Sequence, residues 1–321
     1  MQRSLPESPS VPAPRCSVLM PVYNAERYVA QAVESILGQT FRDFELVIVD
    51  DGSTDRSREM LHYFAAGDPR IRLVSRANTG YLRALNEGLA LCQGEYVARM
   101  DADDIALPER LQRQIAFLDR HPECLMVGSA LLRIDADGDV LCEEPLPVVH
   151  DEIESRLWSG QGAIGHPAAL VRRQSLVDVG GYREEYYGAE DHDLWLRLAE
   201  RGRLANLAEP LLMCRIHTGN FTFVNAERGQ AAARAAVVDA SRRRGWPQPS
   251  FGALAAPQSA AERQRAWARS ALYAGHYRTA RKHALAAWRQ RPGQIDSWVL
   301  LAHAVLGRWA RPLRSMYRRL R

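Results

Sequence analysis

Residues 97–104 read VARMDADD, a short apolar approach that ends in three aspartates within four positions. Carboxylates this close repel one another, so they persist where a cation neutralises them or where water is near. In extended chain, side chains alternate, which would put Asp101 and Asp103 on one side. Two carboxylates so placed make a hard-oxygen site for Mg2+ or Mn2+, with positions left for water and phosphate oxygens. Taken alone, the same residues also describe a solvated turn leading to the helix that opens at Pro108, with Asp104 as a cap. A second acidic pair, Glu190–Asp191 in AEDHDLWLRL, reads on its own as first-turn acids of a helix, which its N-terminus favours electrostatically.

The elements that must position these groups alternate between strand and helix from 16 to 134. CSVLMPVY is an apolar run, followed by ERYVAQAVESILG, where Tyr28, Val29, Ala32, Val33, Ile36 and Leu37 form one helical stripe and Gly38 stands at the C-cap. FELVIVD is near-continuously apolar, as a strand buried on both faces would be. TDRSREMLHYF reads as a second helix with Ser53 or Thr54 available to cap it. IRLVS, GYLRALNEGLALC, EYVARM and PERLQRQIAFLDRH continue the alternation. Such a pattern predicts βαβ units and a parallel sheet with helices on both faces. Ligands in these sheets bind at the carboxyl ends of the strands. Three polar clusters fall there: Pro21–Asn24, Asp50–Asp55 and Asp101–Asp104. Further on, AALVRR reads as a strand, QSLVDVGGY and GAEDHDLWLRLAERG as helices, and LANLAEPLLMCRIHTGN as β structure closing the domain.

Taken in order, SVLMPVYN, ELVIVDDGSTD, NTGYLRALNEGL, MDADD and AEDHDLWLRL resemble the family 2 glycosyltransferases over roughly residues 16–223. The resemblance implies the α/β GT-A fold, a nucleotide-sugar-binding sandwich whose mostly parallel central sheet is flanked by helices. It implies that Pro21 and Tyr23 line the nucleotide base pocket, Tyr23 by stacking, and that Asp51 accepts a hydrogen bond from the base. It sets Arg83 near the phosphates and Asp101 on the ribose or the water shell of the metal. Asp103 in the DxD motif would bind that metal, Mn2+ or Mg2+, and His217 in RIHTGN would reach the metal or the pyrophosphate. Asp191 would be the general base, Glu190 would orient the acceptor, and His166 in GHPAAL would touch it. Plainer readings stand beside these: a boundary aromatic for Tyr23, a turn for Asp51, an outer helix face for Arg83, a structural role for His217. The implied reaction is inverting transfer from a nucleotide diphosphate sugar, with UDP as the expected nucleotide, to a glycan or lipid-linked acceptor in surface polysaccharide or glycoconjugate synthesis.

With 46% hydrophobic and 25% charged residues, the 321-residue chain has the composition of an ordinary globular protein. The first 14 residues, rich in Pro and Ser with no apolar core, read as a disordered tail rather than a signal peptide. Five scattered cysteines with no CxxC pair argue against a disulfide framework and for a reduced, cytoplasmic protein. We expect a catalytic domain over 15–225, a helix and a Pro/Gly-rich linker over 226–258, and a tetratricopeptide-like helical extension over 259–321. That extension carries 14 Lys+Arg against two acids, leaving the rest of the chain net acidic. It reads as a peripheral contact with anionic lipid at the inner face of the membrane, as a surface for a protein partner, or as a basic face packed on the catalytic domain. Nothing in the body of the chain supports nucleic-acid binding. A non-catalytic nucleotide-sugar-binding or scaffold protein is the alternative reading. A phosphotransferase built on an aspartate nucleophile does not match DADDI.

Overall fold

Alternation of side chains along the first strands decides the layering. A computed structural model describes residues 13–307 apart from 221, 222, 224, 255 and 257. Strand β1 (Cys16–Val22) lies between β2 (Phe44–Asp50) and β4 (Tyr96–Arg99), and β3 (Ile71–Ser75) flanks β2, all four parallel. Val18, Met20, Leu46 and Ile48 face one layer, made by α1 (Val29–Leu37), α2 (Ser57–Gly67) and α4 (Arg110–Arg120). Leu19, Val47 and Val97 point the other way. They meet α3 (Tyr81–Leu91), α5 (His150–Trp158), α7 (Glu190–Ala199) and α8 (Ala226–Arg244). A period of two in the strands against helical periods in the crossovers therefore yields a sheet covered on both sides.

Past β4 the sheet turns mixed. Its order is β3-β2-β1-β4-β8-β6-β9-β5, with β7 (Val140–Glu144) hairpinned onto β6 (Cys124–Ile134). Strand β8 (Leu170–Arg172) runs antiparallel to both β4 and β6, while β9 (Arg203–Arg215) runs parallel to β6 and antiparallel to β5 (Ile105–Ala106). Pro210 in β9 falls at a break in the register, where its missing N–H disturbs no regular ladder. The sequence pattern singles out no element over 122–167, yet β6, β7 and α5 lie there. The reason is physical: β6 is buried along most of its length, so its apolar run shows no period, and β7 and α5 are half-exposed. A further short α6 (Arg173–Asp178) follows β8. Among the described residues no helix is long and apolar enough to cross a membrane.

The C-terminal helices are α9 (Ala260–Tyr273), α10 (Tyr277–Gln290) and α11 (Ile295–Leu306). Ser259 and Glu262 form a reciprocal capping box that starts α9. Trp267, Ala271, Ala280, Ala284 and Leu300 bury one another and Leu141 of β7, so these helices share a core with the sheet. Segment 245–258 is also tied down in part: Trp246 packs on Trp158, and Phe251 joins the α3–α8 layer. The basic stretch from Arg308 to Arg321 lies outside the described residues.

Gly88 shows how closely α3 approaches the sheet. A Cβ there would fall 2.2 Å from Cδ1 of Leu19, which is itself buried. Replacing a mid-helix glycine by alanine gains about 1 kcal/mol of helix propensity, whereas overpacking a filled core costs about 1–3 kcal/mol. We expect the clash to win. Gly88→Ala should lower the urea unfolding free energy by up to about 2 kcal/mol; an unchanged or raised midpoint would show that Leu19 yields freely.

Candidate active site

The strand ends make the site because one strand leaves the sheet early. Strand β4 pairs with β1 only as far as Leu19 opposite Arg99, and the Met100 N–H donates to the Leu19 carbonyl at 3.0 Å. Two residues further along β1, Pro21 faces the side that β4 has vacated, so its missing N–H breaks no ladder. A notch opens there, at the carboxyl ends of the parallel strands. The loops after β1 and β2 are fastened to one another beside it. Asn24, at φ +49°, accepts the Thr54 N–H at 2.8 Å, Ser53 Oγ accepts the Asn24 N–H at 3.0 Å, and Ser57 Oγ accepts the Ala25 N–H at 2.8 Å. Ser53 and Thr54 thus serve this clasp and do not cap α2. Asp55 takes the Ser57 N–H instead, at 2.9 Å. Tyr23 stands on the rim 52% exposed.

Asp51 is only 3% exposed. Its two carboxylate oxygens accept the N–H groups of Thr79 and Gly80 at 2.9 and 3.0 Å, and Arg76 pairs with it at 3.0 Å. In this structure it fixes the loop that leads into α3. Gly52 beside it, at φ +79°, would place a Cβ 2.5 Å from the Asn78 nitrogen, so glycine is required there. Arg83 lies on an exposed face of α3 and pairs with Glu184 at 3.1 Å; its contact is with Glu184, not with the aspartates.

After Arg99 the chain turns; the extended segment expected at Asp101–Asp103 is absent. The Asp104 N–H reaches back to the Asp101 carbonyl at 3.5 Å, and Asp101, Asp103 and Asp104 each bring a carboxylate oxygen within 4.8 Å of the others. The buried Arg99 guanidinium meets Asp101 at 2.5 Å. Asp104, almost wholly buried, caps no helix. Its Oδ1 accepts the Arg215 backbone N–H at 2.7 Å, and its Oδ2 has no hydrogen-bond partner among the described residues. Burial pushes the Asp104 carboxyl well above the usual carboxylate range, and the charges of Asp103 and Asp101 add to the rise. Asp101 is raised for the same reasons, against the pull of Arg99. A compact set of hard oxygens, one of them buried and unpartnered, fits a divalent cation.

His217 and Asn220 complete this edge. His217 Nε2 lies 3.1 Å and Asn220 Nδ2 3.3 Å from Asp103 Oδ2. Because Nδ1 accepts the Gly219 N–H at 3.2 Å, the proton of a neutral ring sits on Nε2, which donates to Asp103. His217 therefore stands beside Asp103 as a hydrogen-bond donor, and Tyr28 stacks on its ring.

Glu190 and Asp191 open α7. Glu190 is buried, its Oε2 accepting the Gly188 N–H at 2.8 Å, and Asp191 Oδ1 accepts the His192 N–H at 2.7 Å. Burial raises both carboxyls. Glu190 is pushed up to about 7, with the Asp191 charge adding to the rise. Asp191 in turn acts electrostatically on Asp101, and Arg99 acts on all three, so the two acidic groups belong to one electrostatic site. Helix α7 also carries Asp193, fully buried between Arg183 and Arg197, which anchors the helix.

Sequence reasoning does not single out the layer behind the aspartates. Arg99 donates to Tyr81, whose hydroxyl lies 3.4 Å from His166 Nδ1, and His166 Nε2 lies 2.9 Å from the Tyr182 hydroxyl. Burial and the charge of Arg99 hold His166 neutral. His166, considered above for the acceptor, is thus one member of a buried relay that braces Arg99. Arg110 holds the Arg99 carbonyl at 2.7 Å from beneath. The available signal was a basic residue inside an otherwise apolar strand, VARM.

The raised carboxyl of Glu190 gives a pH-dependent stability. Its folded value, about 7, lies above the unfolded one, so its contribution is fully present below the unfolded value and is lost as pH rises through 7. Glu190→Gln, which keeps the acceptor for Gly188, should stabilise the protein by roughly 1–3 kcal/mol at pH 8 and by much less at pH 5. Urea midpoints at the two pH values decide this; an equal change at both would remove the burial account.

Residues 17–180 match the model of a family described as "Glycosyl transferase family 2". The chain is 33% identical over 217 residues to the amylovoran biosynthesis glycosyltransferase AmsE of Erwinia amylovora, covering 66% of this chain and 79% of that one. Its fold is similar to that of TarS 1–349 from S. aureus, solved in complex with UDP-GlcNAc, at a TM-score of 0.55 and 20% identity, over 90% of this chain and 79% of that chain. It is also similar to the mannosyltransferase PcManGT from Pyrobaculum calidifontis, solved with GDP-Man and Mn2+, at a TM-score of 0.53 and 21% identity, over 95% and 83%. These likenesses agree with the mixed sheet, its two helical layers and the motif order along the chain. The protein adopts the GT-A fold and belongs to glycosyl transferase family 2.

Proposed function

We propose that the chain is an inverting, metal-dependent glycosyltransferase that moves a sugar from a nucleoside diphosphate donor, with UDP as the nucleotide, to an acceptor hydroxyl in polysaccharide or glycoconjugate synthesis. The single observation that carries this reading is the aspartate turn at the strand ends, electrostatically linked through Arg99 to the Glu190–Asp191 pair. The names of similar proteins support the donor and the product class: AmsE is an amylovoran biosynthesis enzyme, and TarS and PcManGT were solved with nucleotide sugars.

Asp103, with Asp101 and Asp104, would hold Mn2+ or Mg2+, which supplies Lewis-acid stabilisation of the diphosphate. Tyr23 and Pro21 offer the base a stacking surface at the rim, and Asp51 contacts it through lone pairs left over from the Thr79 and Gly80 bonds. Arg83, freed from Glu184, lies on the helix that follows this loop and would meet the phosphates. Asp191 takes the proton of the acceptor hydroxyl as that oxygen bonds to the anomeric carbon. The bond from the anomeric carbon to the phosphate oxygen breaks, and its electron pair leaves on the nucleoside diphosphate. One base and one displacement give inversion. Glu190, whose carboxyl burial pushes up to about 7, stands beside Asp191 and orients the acceptor. We assign residues 15–225 to this catalytic unit and 259–321 to an extension that meets an anionic lipid surface or a protein partner on the cytoplasmic side. Exposed Ile295, Trp298 and Val305 support that part of the reading.

A panel of nucleotide diphosphate sugars with Mn2+ or Mg2+ tests the assignment. One donor should be hydrolysed slowly in a metal-dependent way. Asp103→Asn should lower that rate by about 100-fold or more, and Asp191→Asn should lower transfer to an added acceptor by about 100- to 10,000-fold. Turnover that is indifferent to both substitutions would reject the residue roles, and an absence of any donor binding would reject the function.

A further inference from the structure

The chain contains a single lysine, Lys282, and it is committed to one place. From α10 its Nζ reaches Asp135, Asp137 and Asp139 at 2.6, 2.6 and 2.9 Å, on the turn that joins β6 to β7. The neighbouring His283 Nε2 lies 2.9 Å from the same Asp135 oxygen. Asp135 is buried, and its other oxygen accepts the N–H groups of Asp137 and Asp139 at 2.9 and 3.0 Å, which fixes the loop conformation. Burial alone would raise this carboxyl, but the bonds from His283 and Lys282 overcome it and hold it well below the usual carboxylate range.

The loop is in turn joined to the aspartate turn by Arg215, the last residue of β9. Its buried guanidinium donates to the Asp135 carbonyl at 3.2 Å through Nη1, to the Asp103 carbonyl at 2.7 Å through Nε and to Gln31 Oε1 at 2.8 Å through Nη2. Its own N–H holds Asp104 Oδ1. Tyr28 lies beneath the guanidinium at 4.6 Å and also stacks on His217. Arg215 thus grips the backbone of one aspartate and the carboxylate of the next, and the Asp135 loop is the support on the other side of it. The planar fork suits this task, which an ammonium could not repeat.

We propose that α10 acts as a remote brace for the aspartate turn: Lys282 and His283 fix the Asp135 loop, and Arg215 transmits that fixed position to Asp103 and Asp104. Lys282 and Arg215 are positioning residues, and neither needs to touch substrate. The brace also gives the C-terminal helices a part in the chemistry of the N-terminal sheet, beyond whatever surface they present. Its consequence for cation binding rests on the reading of that turn as the metal site given above; its mechanical part does not.

Hydrogen exchange of the full chain without metal, followed over peptides spanning 100–107 and 211–218, tests the mechanical part. Lys282→Met should speed exchange in both segments, Lys282→Arg should restore protection, and Arg289→Met on the exposed face of α10 should change neither. Arg215→Lys should loosen the same segments with the C-terminal helices still folded by circular dichroism. Mn2+ titrations of the same proteins, read by electron paramagnetic resonance, should show affinity weakened about five- to tenfold in Lys282→Met and restored in Lys282→Arg. Unaltered exchange in both Lys282→Met and Arg215→Lys overturns the brace, and faster exchange with unaltered Mn2+ affinity overturns its service to the site. A wild-type protein that binds no Mn2+ refutes the metal reading instead, and the exchange data still decide whether the brace exists.

Discussion

The repulsion among Asp101, Asp103 and Asp104 is the constraint around which the molecule is arranged. Three carboxylates with oxygens within 4.8 Å of one another would drive the turn apart unless something opposed them. The protein opposes them from two directions. Arg99 supplies a buried positive charge to Asp101, and Arg215 holds the backbone of Asp103 and the carboxylate of Asp104. Both arginines are buried: Arg99 is held by Asp101 and by Tyr81, and the Arg215 guanidinium by backbone carbonyls, Gln31 and the ring of Tyr28. A buried guanidinium in such a setting is costly unless its donors are used.

The sheet makes this possible by ending unevenly. If β4 continued beside Pro21 and Val22, backbone ladder would fill the notch. Because it stops at Arg99, the chain is free to turn, and the charged groups gather where polar backbone is already exposed. The loops after β1 and β2 are clasped to one another, and Asp51 pins the loop before α3. The start of α7 is anchored through Asp193 rather than through Glu190 and Asp191. Preorganisation of this kind is what electrostatic stabilisation requires.

Much of this is legible in the sequence, for identifiable reasons. The parallel strands and their crossovers show because Val18–Met20 and Leu46–Ile48 are near-continuous apolar runs between helices with clear stripes. The polar clusters show because three of them recur at the carboxyl ends of parallel strands, although each alone reads as a turn or a cap. What does not show is anything that depends on long-range packing. The MDADD segment turns instead of running extended, and the turn is held by Arg215, more than 100 residues later. Asp51 reads as a base contact, yet here it is occupied by the Thr79 and Gly80 amides, a bond pattern no local spacing announces. Arg83 sits in the right motif but on an exposed helix face. The turn carrying Asp135, Asp137 and Asp139 looks like ordinary hairpin polarity until Lys282 is brought to it by the fold.

The central claim is that the aspartate turn persists in order to hold a divalent cation together with a nucleoside diphosphate. Calorimetric titration of the protein with UDP, GDP and dTDP, each with and without Mn2+, measures that directly. The account predicts that one of the three binds at least tenfold more tightly with the metal present, and that Asp103→Asn abolishes the difference while leaving the metal-free affinity in place. Equal affinities with and without Mn2+, or a metal effect that survives Asp103→Asn, would contradict it.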